Sequence, residues 1–152
     1  MTSRTQRPRR LRPSILDDLG LGAALRQLAG DFAVASTLTV RADPGAVTGT
    51  GLAEADLALF RVAQESLRNT EVHAAATEVD LRLRRRGARV SLTVGDNGIG
   101  LAACSQMAGS GTGFPDMWER MRSVGGNLTV RSRPSVGTVV LATVPSSAPP
   151  RP

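Results

Sequence analysis

Glu65, Asn69 and His73 stand four residues apart in "QESLRNTEVH". On an α-helix a step of four advances about 40° past a full turn, so the three share one narrow stripe. A carboxylate, an amide oxygen and an imidazole in a row can hold a cation. Zinc would require another strong ligand beyond this spacing. Magnesium suits the set better, because it takes oxygen donors and keeps its waters while phosphates complete its shell. A second concentration of chemistry follows in "VGDNGIGL" (94–101). Asp96, at the end of an alternating run, can accept a hydrogen bond from an exocyclic amine. Gly98 and Gly100 let the backbone pass close to a planar ring or to phosphates. Gly111, Thr112 and Gly113 then close "GSGTG" at the threshold of a helix, whose first free N–H groups attract anions. Thr138 follows a glycine where a last strand returns. Each piece alone also fits a solvated helix stripe or an ordinary turn. Their order is more specific than any one of them.

These residues need elements to position them. "LAEADLALFRVAQESLRNTEVHAAA" predicts the longest helix, with Leu57, Phe60, Ala63 and Leu67 recurring on one face. "TEVDLRLRRRGARVSLTVGD" changes to a period of two, and Gly87 divides it into an antiparallel hairpin. Val79, Leu81 and Leu83 alternate with Asp80, Arg82 and Arg84, so the arginine run reads as a solvated face. Upstream, a helix from Leu21 with a stop near Gly30 precedes a strand in "STLTVRA", which "DPG" ends. Downstream, "FPDMWERMRSVGG" is a helix with Pro115 early and Gly125–Gly126 at its end. "NLTVRSRPSVGTVVLATV" supplies a second hairpin. The order predicts an α/β fold: a two-layer sandwich with a mixed, largely antiparallel sheet and helices on one face. A basic flexible arm is expected over 1–12, one domain over 13–145 and a disordered tail over 146–152.

A chain of 152 residues suits one domain with a real core, and 41% hydrophobic content rules out a disordered polymer. With three Phe, one Trp and no Tyr, that core must come from Leu, Val, Ile and Ala. The formal charge is +6, every basic residue is Arg, and five arginines lie between Arg4 and Arg12. Such an arm can meet nucleic acid, an acidic partner or a membrane surface, or simply aid solubility. The rest of the chain is near neutral and offers no aromatic platform, so no specific nucleic acid partner is expected. Cys104 stands alone, which excludes an intrachain disulfide or a cysteine zinc cluster. No apolar run reaches membrane-spanning length, so a cytoplasmic domain is expected, whether or not its parent is membrane-attached.

With these motifs in this order, the chain resembles the ATP-binding domain of bacterial sensor histidine kinases. The likeness is to the nitrate/nitrite-sensor-like subfamily, which partners regulators with helix-turn-helix outputs. The superfamily includes gyrase B, the mismatch-repair ATPase and the ninety-kilodalton heat-shock chaperone. "RVAQESLRNTEVHA" resembles its asparagine motif and "VGDNGIGL" its first glycine motif. "GTGFPDMWERMRSVGG" resembles the second and "SRPSVGTVVLATVP" the last, while "LRPSILDDLGLGAAL" resembles the junction after the phosphoacceptor helices. The likeness covers about residues 11–145 and implies a Bergerat-type ATP-binding fold with ATP and Mg²⁺ as cofactors.

It further implies that Asn69 holds the metal, Glu65 orders the metal's water and His73 lies near the phosphates. Asp96 would bind the adenine amine beside Gly98 and Gly100. Gly111, Thr112 and Gly113 would belong to a lid over 99–113, and Thr138 would support the adenine side. The implied activity is that of an ATP-dependent protein histidine kinase, presenting the γ-phosphate to a histidine outside this chain. That histidine would sit on a dimerisation domain, in cis or in trans, with a response regulator as the next acceptor.

Two departures stand out. His73 is the sole histidine and belongs to the asparagine motif, so autophosphorylation by this chain alone is not expected. It reads as a fragment, a split kinase or a diverged relative. In the lid helix the family's usual glycine, methionine, arginine, glutamate, arginine becomes Asp116, Met117, Trp118, Glu119, Arg120. Asp116 would repel phosphates if turned inward, or would favour the start of the helix. Competing readings are a non-catalytic nucleotide-binding interaction module and an anti-sigma-factor-like serine kinase.

Overall fold

Alternation of aliphatic and polar residues from Val79 to Val94 gives one face of a hairpin to the core, and the rest of the fold is built on that face. The computed structural model describes residues 14–73, 75–99 and 114–147. Its elements are α1 (Ser14–Leu19), α2 (Leu21–Ala35), β1 (Thr39–Asp43), α3 (Ala53–His73), β2 (Glu78–Arg86) and β3 (Arg89–Asp96). They continue with α4 (Phe114–Ser123), β4 (Asn127–Arg133) and β5 (Gly137–Pro145). The five strands lie in the order β1-β2-β3-β5-β4. Only β1 and β2 run parallel; the other pairs are antiparallel. The expected mixed, largely antiparallel sheet is therefore present.

Val79, Leu81 and Leu83 of β2, Val90, Leu92 and Val94 of β3, and Val140, Ala142 and Val144 of β5 are all buried. They meet Leu21, Leu25 and Leu28 of α2, Leu59, Val62, Ala63 and Leu67 of α3, and Met117 and Met121 of α4 in one core. Helices on a single face account for this pattern, because period-two strands can bury only one side against them. Leucine, alanine and valine dominate the core, as the scarcity of aromatics requires.

Helix α2 differs from expectation, since it runs through Gly30 and ends at Ala35. A Cβ at Gly30 would meet nothing within 4 Å. The burial of Leu21, Leu25 and Leu28 offsets a glycine cost of about 1 kcal/mol. The true end lies at Ser36, whose hydroxyl donates to the Phe32 carbonyl (2.7 Å) and accepts from the Leu38 N–H (3.2 Å).

The arginine run also divides. Arg82 and Arg84 are exposed, and Arg84 reaches Asp43 of β1 at 3.3 Å. Arg85 points inward instead and donates to Ser146 Oγ (2.7 Å) and the Gly49 carbonyl (3.2 Å). Ser146 and Ser147, in the expected tail, donate their N–H groups to the carbonyls of Ala88 and Thr50. An inward arginine at the sheet end gives this exit segment polar partners.

Candidate functional site

Helix α3 carries two polar series of opposite fate. Ser66 and Thr70 turn to the core and are buried, at 3% exposure each. One position back, Glu65 and Asn69 sit at the margin of the buried face and are half-buried. The side chain of Glu65 pairs with Arg68 Nη1 at 3.5 Å, a loose one-turn contact worth little in water. Asn69 Oδ1 is buried, and no donor among the described residues reaches it, although the residue makes other interactions. His73 is the last residue of α3; its side chain lies outside the described residues.

Asp96 ends β3 opposite Val79 on one side and Thr138 on the other. Its Oδ1 accepts the Gly98 N–H at 2.8 Å, an Asx turn that bends the chain away from the sheet. Its Oδ2 accepts from the Thr70 hydroxyl at 3.2 Å. Asp96 therefore faces the helical layer, on the side where α3 carries its polar margin. Thr138 is buried and donates to Ser132 Oγ at 3.4 Å.

The loop after Asp96 is fastened from both sides. Asn97 Oδ1 accepts the N–H groups of Thr77 (2.9 Å) and Glu78 (3.0 Å), while Nδ2 donates to Thr77 Oγ1 (2.9 Å). Across the sheet, the Ser135 N–H donates to the Ile99 carbonyl at 3.0 Å. Gly137 has φ of 144°, and a Cβ there would collide with the Asp96 carbonyl oxygen. A glycine is thus required for β5 to approach the end of β3 this closely.

Glu65 also lines a small cavity of about 150 Å³ with Arg61, Gln64, Asp116, Met117 and Arg120, between α3 and α4. Burial first, and Arg120 second, push the Arg61 guanidinium below its ordinary value. Arg61 donates to Gln64 Oε1 at 2.7 Å. Asp116 is in the first turn of α4 and exposed, where its charge favours the helix start. Trp118 is 44% exposed and donates its indole N–H to the Leu128 carbonyl (3.1 Å), so it pins α4 to β4.

A larger hollow of about 570 Å³ opens beside Asp96, lined by Arg131, Arg133, Val136 and Val139 among others. Arg131 and Val139 are register partners and both exposed, on the sheet face away from α3. That hollow is therefore not where the α3 margin and the Asp96 carboxylate converge.

The structure thus brings Asp96, Gly98 and Thr138 together at one end of the sheet and joins them to α3 through Thr70. Gly100, Gly111, Thr112, Gly113 and nearly all of the expected lid lie outside the described residues. Thr70 and Asn97 were not singled out from the sequence. Both lay within quoted motifs, and the signal was available for one of them: Ser66 and Thr70 repeat at the spacing of Glu65 and Asn69, rotated toward the aliphatic face.

This geometry can be compared with known families. The description "Histidine kinase-, DNA gyrase B-, and HSP90-like ATPase" fits residues 54–148. The chain belongs to that family. As a histidine kinase-type ATPase domain it is 42% identical over 140 residues to the sensor histidine kinase MctS of Rhizobium johnstonii, covering 91% of this chain and 30% of that protein. It is 30% identical over 135 residues to the histidine-protein kinase/phosphatase DegS of Brevibacillus brevis, covering 89% of this chain and 35% of that one. The chain spans about a third of the length of these relatives.

The histidine kinase domain of the Erythrobacter litoralis blue-light activated kinase superimposes with a TM-score of 0.69 at 24% identity, over 84% of this chain and 61% of that one. The ATP-binding domain of PrrB from Mycobacterium tuberculosis gives 0.65 at 22% identity, over 84% and 95%. Likeness at that identity shows the shared fold. Among the described residues no helix is long and apolar enough to cross a membrane.

Proposed function

We propose that this domain binds Mg-ATP and presents its γ-phosphate to a phosphoacceptor histidine outside the chain, in two-component signalling. The observation that carries this reading is the Asp96 carboxylate, held at the end of β3 and turned toward the polar margin of α3. A carboxylate held by its neighbours is an acceptor for the exocyclic amine of adenine. On α3, Asn69 immediately precedes Thr70, which touches Asp96, and Glu65 lies a turn and a fraction before it. Their oxygens suit magnesium, which takes few protein ligands and leaves the remainder of its shell to water and phosphate. The buried Asn69 Oδ1 is an oxygen of the required kind. When bound, the metal neutralises phosphate charge. This chain's own residues hold the base, orient the metal-side water and position the phosphates, which is most of what phosphoryl transfer requires.

His73 is assigned to the phosphate side, Gly98 and Gly100 to the loop beside the base, and Gly111, Thr112 and Gly113 to the lid that closes over the phosphates. Thr138 supports Asp96 from β5. The histidine-bearing domain is supplied in cis or in trans, and a response regulator receives the phosphoryl group from it.

Calorimetric titration with ATP and a non-hydrolysable analogue, with and without Mg²⁺, tests the binding step. Transfer is tested by incubating the domain with labelled ATP and the dimerisation domain of a histidine kinase. Adenine-selective, magnesium-dependent binding with label on the added histidine is the expected result. Tight binding with no label on any histidine-bearing domain would favour a non-catalytic nucleotide-binding module.

A further inference from the structure

We infer that Thr70 sets the purine selectivity of this site, by locking the Asp96 carboxylate as an acceptor-only group aimed at the base. The inference rests on the Mg-ATP reading and adds a residue to it. The Thr70 hydroxyl lies 2.9 Å from the Ser66 carbonyl and 3.2 Å from Asp96 Oδ2. It has one proton for two acceptors. Bonding to the carbonyl four residues back is the ordinary habit of threonine in a helix. If that were the whole arrangement, an oxygen lone pair would face a carboxylate oxygen at 3.2 Å, which is repulsive. The charged acceptor draws the proton, because hydrogen bonds to ionised groups are the stronger ones.

Each oxygen of Asp96 then has one fixed donor: the Gly98 N–H on Oδ1 at 2.8 Å and the Thr70 hydroxyl on Oδ2. The two donors come from different elements, so they fix the rotation of the carboxylate as well as its place. Thr70 is itself 3% exposed and cannot swing away. The remaining lone pairs keep one direction. A 6-amino purine offers a donor to them, whereas a 6-oxo purine opposes them with another acceptor. A carboxylate free to turn would discriminate less, since it could withdraw from the oxo group.

Thr70 is a positioning residue, and its test separates orientation from folding. Thr70→Val keeps the shape and removes the hydroxyl; Thr70→Ser keeps the hydroxyl. Each variant is titrated with ATP, GTP and the triphosphate of unsubstituted purine riboside in the presence of Mg²⁺, and thermal unfolding is recorded in parallel. Thr70→Val should lose about tenfold in preference for ATP over the other two nucleotides, the scale of one hydrogen bond to a charged group. Thr70→Ser should restore most of it, and the phosphate-side magnesium dependence should be unchanged in both. Unaltered preference in a folded Thr70→Val variant overturns this inference alone. Equal binding of all three nucleotides by the unaltered chain, or binding of none, overturns the adenine site and this inference together. Should Thr70→Val fail to fold, Thr70→Ser against Thr70→Ala gives the same comparison, and equal preference in those two overturns the inference.

Discussion

At the scale of single residues, the site divides between groups that would touch a ligand and groups that hold them still. Asn69→Ala removes an amide oxygen from the half-buried margin of α3 and leaves the aliphatic face intact. Magnesium-dependent ATP affinity should fall at least about tenfold with little change in unfolding temperature, because the deleted group is the proposed metal ligand and alanine is a better helix former. Titration with and without Mg²⁺ decides the point; an unchanged metal dependence would remove Asn69 from the metal site. Asp96→Asn presents an amide where an acceptor-only group stood, and it should relax the preference of ATP over GTP in competition binding. Gly137→Ala acts differently, through the backbone. Its φ of 144° and the Asp96 carbonyl in the path of the new Cβ leave alanine no unstrained place. A loss of about 2 kcal/mol or more in denaturant unfolding is expected.

At the scale of elements, the loop after β3 is fastened by its own asparagine to the chain that enters β2. Asn97 alone supplies three side-chain hydrogen bonds to Thr77 and Glu78. Asn97→Ala should cost about 1–3 kcal/mol and weaken ATP binding as well, since that staple holds the chain that carries the Gly98 N–H to Asp96. Chemical denaturation beside nucleotide titration would show both losses, or break the link between them. At the far sheet edge, the Gly45 N–H and then the Arg84 guanidinium hold the Asp43 carboxyl below its ordinary value. A depressed folded value means the contribution is present above the ordinary carboxylate range and is lost as pH falls through it. Asp43→Asn should therefore lower the neutral plateau slightly and flatten the acid limb, the two chains converging at low pH; Asp43 is exposed, and the effect is small. Helix α4 carries its own reporter. Trp118 is the only tryptophan, and its indole N–H bonds the Leu128 carbonyl of β4.

At the scale of the whole molecule, one sheet with helices on one face leaves a polar margin where α3 passes the end of β3, and the family uses such a fold for ATP. Much of this was legible from the chain. Period-two alternation from Val79 to Val94 determined the hairpin and its buried face, because a strand can turn only alternate residues inward. The spacing of Leu57, Phe60, Ala63 and Leu67 determined α3, and the order of polar stripe and glycine turns determined the family. Other features depended on partners distant in sequence. Helix α2 passes Gly30 because the core it joins outweighs a local breaker, and a breaker is all that a local reading can register. Arg85 shares the inward parity of Val79, Leu81 and Leu83, and an arginine is accommodated there because Ser146 and Gly49 come to it from elsewhere in the chain. Thr70 and Asp96 stand 26 positions apart and meet only when α3 packs on β3. The sequence by itself therefore determined which residues could do chemistry and on which elements they ride. Only the tertiary structure decided which of them hold one another in place, since a hydrogen bond between two elements exists only after both have packed.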